Sequence, residues 1–109
     1  MANDSGTVLA LISCPNADAA AALANALVDS ELAGCVNIIP GIQSVYRWRG
    51  AIESDSESLL LIKTACKHVE AVERFIEKNH PYECPELVVL EATHVREAYN
   101  SWLHDSIKS

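Results

Sequence analysis

The 109-residue sequence has only 4 glycines, no closely spaced cysteines and no long apolar run, and each shortage excludes a class of protein. The glycines stand apart at positions 6, 34, 41 and 50, so a glycine-rich nucleotide-binding loop is excluded. No apolar run approaches the roughly 18 residues of a membrane-spanning helix, and we expect no membrane insertion. G-x-S-x-G and H-E-x-x-H are also missing, so the chain is not predicted to be an enzyme.

Positive charge is scarce as well. The chain has 8 Lys and Arg against 15 Asp and Glu, a net charge of −7 with the histidines neutral. Nucleic-acid binding depends on neutralising phosphates with Lys and Arg, so we expect no nucleic-acid partner. Half of the residues are hydrophobic, which is too many for a disordered chain. We predict a single acidic domain over residues 1–109, with a flexible N-terminus over residues 1–6.

The four cysteines do not form a recognisable motif. Cys14, Cys35, Cys66 and Cys84 are far apart in sequence, and no C-x-x-C pair exists, which argues against a zinc ribbon or a thioredoxin-like site. The first residues have neither the basic nor the apolar stretch of a secretory signal. We therefore expect a cytoplasmic protein with reduced thiols.

The first third of the chain predicts a strand and a helix. Residues 7–14 are a short, apolar, partly β-branched run that ends at Pro15, as a buried strand would. Asn16 is the predicted N-cap of the helix, and Asp18 lies in its first turn, where the helix dipole favours an acid. Gly34 is the predicted C-terminal cap.

The rest of the chain alternates between extended and helical patterns. Residues 35–49 and 51–64 predict two strands that meet at Gly50, with a bulge at residues 40–41. A helix from about residue 67 ends before Pro81, since the residue preceding a proline disfavours helical geometry. Residues 86–92 predict the last strand. A terminal helix then carries four large side chains on one face: Val95, Tyr99, Trp102 and Leu103.

The order β-α-β-β-α-β-α predicts an α+β, ferredoxin-like fold. It consists of a four-stranded antiparallel sheet with both main helices on one face, a long hairpin between the second and third strands, and an additional C-terminal helix.

Two features favour an oligomer. Residues 8–12, 59–62 and 87–90 are apolar at both strand parities, whereas a sheet with one open face should alternate with polar residues. Hairpin strands of about 13 residues reach about 40 Å, but a compact 100-residue domain has a radius of gyration near 13 Å. We predict that other subunits bury the second face and the hairpin tip, which carries Tyr46 and Trp48. The alternative is an ordinary sheet core with a frayed tip.

Three stretches and a short motif carry a resemblance to a protein family. They are residues 35–50 (CVNIIPGIQSVYRWRG), 57–64 (ESLLLIKT) and 80–86 (HPYECPE), followed by Tyr99-x-x-Trp102. Together they resemble the CutA family of divalent-cation tolerance proteins. The resemblance implies a ferredoxin-like homotrimer whose long hairpins reach across to neighbouring subunits, a role in tolerance to copper and other divalent cations, and mostly cytoplasmic bacterial members. It also implies an architecture similar to that of the PII signalling proteins.

The resemblance makes His80 the first candidate metal ligand, and imidazole suits copper, nickel and zinc. The alternative is a histidine that caps the preceding helix. Ile12 and Asn79 stand where some members have a cysteine and a second histidine, so the chain departs from the family pattern at both positions. Cys14 has the strand parity of Ile12 and is the second candidate ligand, suited to Cu(I); the alternative is a small buried hydrophobe.

A second set of candidates belongs to the clefts between subunits that the resemblance implies. Glu57 and Lys63 share one strand face, and Lys63 needs an acidic partner, either Glu86 or Glu57 of a neighbouring hairpin. These residues form either a polar ligand pocket or an ion pair that holds the trimer together. The aromatic members of the set are Tyr46, Trp48, Tyr82 and Trp102, of which Tyr46, Trp48 and Trp102 are typical of assembly contacts.

Two functions are therefore expected. The first is a trimeric cytoplasmic protein that binds copper or another divalent cation and contributes to cation tolerance. The alternative is a PII-like trimeric sensor or scaffold that binds a small metabolite or a protein partner between its subunits, with metal binding incidental.

Overall fold

The computed structural model describes residues 5–108. Its elements follow the predicted order, with one short 3₁₀ turn before the second helix. They are β1 (Thr7–Cys14), α1 (Ala17–Asp29), β2 (Cys35–Trp48), β3 (Ala51–Ala65), the 3₁₀ turn (Cys66–His68), α2 (Val69–Asn79), β4 (Val88–Glu91) and α3 (Glu97–Asp105).

The four strands form one sheet in the order β2-β3-β1-β4, and every neighbouring pair is antiparallel. Both α1 and α2 pack on the same face of this sheet, where their apolar side chains join alternate residues of β1 and β3 in one core. The prediction of an α+β, ferredoxin-like fold with a long β2–β3 hairpin is confirmed.

The predicted flexible N-terminus, residues 1–6, lies partly outside the described residues. Residues 1–4 are not among them, so their predicted flexibility stays a prediction. The hydroxyl of Ser5 donates a hydrogen bond to the carbonyl of Ala92 at 2.6 Å, and the amide of Asn100 donates one to the carbonyl of Ser5 at 3.0 Å. These contacts attach residue 5 to the last third of the chain.

The hairpin has the predicted turn and bulge. The turn lies at Arg49 and Gly50, where both residues have positive φ, 50° and 83°, as short hairpin turns require. The β2–β3 register shifts between Ile39 and Ile42, so residues 40–41 form the bulge. The molecule measures 44 × 31 × 23 Å, and the radius of gyration is 14.4 Å.

The end of α1 differs from the sequence-based expectation. The side chain of Asn16 accepts the Ala19 N–H at 2.8 Å, which confirms the predicted N-cap. The helix ends at Asp29, however, and the chain reverses through Glu31 at a φ of 61°. Gly34 is therefore not the cap, because the left-handed residue comes three positions earlier.

Gly34 is required for close packing instead. A Cβ at this position would lie 2.6 Å from Leu103 Cδ1 and 2.8 Å from the Leu103 carbonyl oxygen. These separations are shorter than van der Waals contact, so only glycine lets α3 approach the start of β2 this closely.

The last strand is shorter than predicted. It spans Val88–Glu91 instead of residues 86–92, and β1 pairs with it only through residues 8–11. The residues before β4 line a cleft beside the hairpin instead, among them Tyr82 and Glu86. The chain joins the edge of the sheet only after this cleft, at Val88.

The face of the sheet opposite α1 and α2 is apolar and only partly covered, because α3 packs on one end of it, where Leu103 lies against Ala65 and Tyr99 contacts Lys63. Val88 and Leu90, which pair with Leu11 and Leu9 on this face, are 46% and 50% exposed. The apolar pattern at both strand parities is thus a real second face, and one chain leaves the part that carries Val88 and Leu90 uncovered. No helix within residues 5–108 is long and apolar enough to cross a membrane.

The close approach at Gly34 predicts a stability cost. We expect Gly34→Ala to lower the free energy of unfolding by about 2–3 kcal/mol, because the added methyl group displaces α3. Gly41→Ala is the control: its Cβ would meet nothing within 4 Å, and only its φ of 71° opposes the substitution, at a cost of about 1 kcal/mol. Urea unfolding followed by circular dichroism measures both. Equal losses for the two variants would contradict the close-packing role.

Candidate functional site

One cleft of about 370 Å³ lies where the distal part of the hairpin meets the segment that follows α2. It brings together five of the seven residues predicted for the intersubunit clefts, namely Tyr46, Trp48, Glu57, Tyr82 and Glu86. Its other lining residues are Ser13, Ser44, Glu83 and Cys84.

The strands position these side chains by simple alternation. In the β2–β3 register Ile42 pairs with Glu57, Ser44 with Asp55, Tyr46 with Glu53 and Trp48 with Ala51. Residues directly opposite in a sheet project to the same side, so the aromatic residues and the acids share one face of the hairpin. The β1–β3 register pairs Ser13 with Leu59, which places Ser13 on this face as well.

Glu57 is the most buried acid of the cleft. Its residue exposure is only 7%, and the hydroxyl of Tyr82 donates a hydrogen bond to its Oε2. Burial, and then this hydrogen bond, raise the pKa of Tyr82 above its ordinary value. The phenol therefore remains a neutral donor, and Glu57 accepts from it.

Tyr46 makes a similar contact farther along the hairpin. Its hydroxyl donates to the carboxylate of Asp55, and this hydrogen bond is the main cause that raises the pKa of Tyr46 to about 12. Neither tyrosine ionises near neutral pH, so the charge on this face comes from carboxylates.

A basic residue lies at the rim. Arg49 forms an ion pair with Glu83 at 3.3 Å, and its guanidinium carbon is 5.2 Å from the ring centroid of Trp48. Both charged side chains are more than two-thirds exposed. The pair links the hairpin turn to the segment after α2.

His80 is a hydrogen-bonded connector at the end of α2. Its Nε2 lies 2.8 Å from the Ser13 carbonyl oxygen, and its Nδ1 accepts the Tyr82 N–H at 3.1 Å. The carbonyl accepts only, so Nε2 carries the proton and the imidazole is neutral. Both ring nitrogens are engaged, and the residue is 8% exposed.

The structure places Cys14 beside His80, with its Sγ 3.9 Å from Nε2. Cys14 has no exposed surface. Burial, and secondly the Glu57 carboxylate, raise the pKa of its thiol. The two candidate metal ligands are therefore neighbours, but one is protonated and the other has no unengaged nitrogen. Within residues 5–108, no three His, Cys, Asp or Glu side chains are grouped so that they could hold a metal ion.

Lys63 and Trp102 lie away from the cleft. The ammonium of Lys63 is 3.4 Å from the Tyr99 hydroxyl and 5.5 Å from the centre of its ring, and Tyr99 packs against Trp102 at 5.5 Å. Lys63 lies six positions after Glu57 on the same strand, a distance of about 20 Å, so the shared face does not bring them together. Lys63 makes no ion pair among the described residues; an acidic partner from a neighbouring subunit stays a prediction.

Sequence reasoning did not select Ser13, Ser44, Glu83, Cys84 or the rim residue Arg49. Glu83 and Cys84 lie inside the 80–86 stretch that carried the resemblance, and their place in that motif could have indicated them as site residues. Ser13 comes to the cleft only through the pairing of β1 with β3, which no local pattern indicates.

The fold and site define a small, ferredoxin-like α+β domain with an acidic, aromatic cleft beside a long hairpin. A family model described as CutA1 divalent ion tolerance protein matches residues 8–106. The chain belongs to this family.

Several relatives agree with that assignment. The chain is 41% identical to the chloroplastic protein CutA of Arabidopsis thaliana over 94% of its own length and 57% of that protein. It therefore spans little more than half of this longer relative. It is 40% identical to the divalent-cation tolerance protein CutA of Thermus thermophilus, covering 88% of this chain and 93% of that one. These relatives are not named as enzymes.

Solved structures agree as well. CutA from Synechococcus elongatus superposes with a TM-score of 0.92 at 36% identity, covering 97% of this chain and 94% of that one. CutA1 from Oryza sativa gives a TM-score of 0.91 at 36% identity, with 94% of each chain covered.

The hydrogen bond to Glu57 predicts a stability difference between two tyrosines. We expect Tyr82→Phe to cost about 1–3 kcal/mol, because it leaves a buried carboxylate without its donor. Tyr46→Phe is the matched control, and we expect a loss below about 0.5 kcal/mol because Asp55 is exposed to water. Urea unfolding measures both. The assignment would be wrong if the two variants were equally stable.

The cysteines are expected to react differently with 5,5′-dithiobis(2-nitrobenzoate). Cys14 should be unreactive in the folded protein at pH 8, because it is buried and its raised pKa keeps it protonated. Cys66 is exposed and is the internal reference. Mass spectrometry of the modified peptides locates the label. Comparable labelling of both residues before unfolding would contradict the geometry at Cys14.

Proposed function

We propose that this chain is a homotrimeric, cytoplasmic protein that binds a divalent cation and contributes to divalent-cation tolerance, as a binding protein and not as an enzyme. The observation that carries the proposal is the acidic cleft. Three carboxylates and a thiol line it, from Glu57, Glu83, Glu86 and Cys84, and no Lys, Arg or His is among the described residues of its lining.

The donor chemistry of the cleft suits metal cations. Carboxylate oxygens are preferred by hard divalent ions, and a thiolate suits Cu(I) and zinc. The net charge of −7 adds a long-range attraction for cations. The name of the Thermus thermophilus relative, divalent-cation tolerance protein, supports the same role.

A trimer would supply what one chain lacks. The described residues contain no complete ligand group, so we propose that a neighbouring subunit adds donors to each cleft. Support comes from the uncovered apolar surfaces: Val88 and Leu90 on the sheet face opposite α1 and α2, and Val45 and Ile52 on the hairpin, which are 68% and 69% exposed. Large exposed apolar surfaces are typical of protein interfaces.

Copper at His80 and Cys14 stays a separate proposal. A copper ion there would have to displace the Tyr82 N–H from Nδ1 or the Nε2 proton from the Ser13 carbonyl, and deprotonate a buried thiol. In the cleft a cation has only to compete with the exposed Arg49–Glu83 pair, and Glu86 has no ion-pair partner among the described residues, so we propose the cleft as the principal cation site.

The proposal predicts a charge-specific loss of metal affinity. We expect Glu83→Gln/Glu86→Gln to bind Cu²⁺ or Zn²⁺ at least tenfold more weakly than the wild type in calorimetric titrations, because two carboxylate donors are lost. Glu73→Gln/Glu77→Gln on the exposed side of α2 removes the same charge far from the cleft and should bind normally. Equal metal affinities for the two double variants would contradict the proposal that the cleft is the cation site. Titration of a His80→Ala/Cys14→Ser variant tests the other candidate site.

The trimer has its own measurement. Light scattering on the reduced protein should give three times the chain mass of 11.8 kDa. A stable monomer at micromolar concentration would refute the assembly and with it the shared ligand set.

The second candidate function is a PII-like sensor or scaffold that binds a small molecule in the same cleft. The cleft volume of about 370 Å³ lies in the range of small-molecule sites, and the aromatic side chains of Tyr46, Trp48 and Tyr82 provide apolar walls that a bare metal ion does not use.

A further inference from the structure

We infer that the cleft binds an organic cation, an ammonium or guanidinium group carried on a small hydrocarbon body, and that Arg49 occupies its rim as an internal competitor for the same contacts. This inference rests on the second candidate function, small-molecule binding, and names the ligand class. It does not depend on metal binding.

The aromatic walls supply the first half of the recognition. Tyr46, Trp48 and Tyr82 all line the cleft, and the electron-rich face of an aromatic ring attracts cations at contact. A metal ion gains little from such walls, because its ligands are oxygen, nitrogen or sulfur atoms. A cation that also carries carbon atoms uses both the charge and the apolar surface.

The carboxylates supply the second half. Glu57 lies at the buried end of the cleft, and Tyr82 holds its Oε2 in place through the phenolic hydrogen bond. No other described side chain donates a hydrogen bond to this carboxylate, so Oε1 retains its acceptor capacity for a ligand N–H or charge. Glu86 adds a second negative charge without an ion-pair partner among residues 5–108.

Arg49 already shows the contacts that such a ligand would make. Its guanidinium lies over the Trp48 ring at 5.2 Å and pairs with Glu83 at 3.3 Å, one aromatic face and one carboxylate. The residue has a φ of 50°, a backbone conformation that side chains other than glycine rarely adopt. Its ion pair is exposed and contributes little stability. A ligand cation can therefore displace it.

The first test compares two isosteric probes on the metal-free wild-type protein in the presence of a chelator. Choline carries a trimethylammonium group, and 3,3-dimethyl-1-butanol has the same shape without the charge. We expect choline to bind at least tenfold more tightly in calorimetric titrations. Equal affinity for the two would overturn the organic-cation class, and so would no choline binding at 10 mM.

The second test locates the site. Trp48→Phe and Glu57→Gln should each weaken choline binding at least fivefold, whereas Trp102→Phe, outside the cleft, should leave it unchanged. The Trp102→Phe protein also retains Trp48 as its single tryptophan, so choline should quench its fluorescence. If both cleft variants bound choline with wild-type affinity, the ligand would lie elsewhere and the inference would be refuted. Circular dichroism confirms that each variant is folded.

The third test concerns the internal competitor. Arg49→Ala should tighten choline binding two- to fivefold, because Trp48 and Glu83 are then released. Arg47→Ala, two residues away on the other face of the hairpin, removes the same charge without that contact and should have no such effect. An equal increase in choline affinity in both variants would show that only the overall charge matters, and it would contradict the role of Arg49 as a competitor.

Metal titration distinguishes this inference from the cation-tolerance proposal. Metal binding without choline binding would refute the inference and leave the cation-tolerance proposal standing. Choline binding without metal binding would refute only the cation-tolerance proposal.

Discussion

The antiparallel pairing of β1 with β3 is the constraint on which the rest of the structure depends. Its register sets Ala10 opposite Ile62 and Ile12 opposite Leu60, and these four side chains enter the core beneath α1 and α2. Because strand side chains alternate, the intervening residues must project from the opposite face. A slip of one residue would exchange the two faces and remove both the core and the cleft.

The same alternation couples stability to the site. Cys14 ends the buried row of β1, while Ser13 lies on the other face, where it lines the cleft. His80 connects the two, since its ring contacts the Ser13 carbonyl on one side and the Tyr82 amide on the other. Tyr82 then bonds to Glu57. A continuous polar path thus runs from the core edge to the acid of the cleft, and the position of Tyr82 depends on helix α2 ending at His80.

The cleft combines two kinds of attraction for positive charge. Carboxylates act over distance in a chain that already carries excess negative charge, and aromatic faces act only at contact. The tyrosine hydroxyls orient the acids without neutralising them, because both phenols stay protonated. Divalent metal ions and organic cations share the first attraction, and only organic cations gain from the second.

The order of strands and helices, the N-cap at Asn16, the hairpin turn at Gly50 and the end of α2 before Pro81 were determined by the sequence itself, because each depends on neighbouring residues and local backbone geometry. The second apolar face was also readable from strand parity. Only the tertiary structure decided that Gly34 admits α3, that Ser13 lines the cleft, and that Arg49 lies at its rim through the ion pair with Glu83. Those outcomes follow from contacts between segments far apart in the chain, where strand register and helix packing, not local propensity, set the distances.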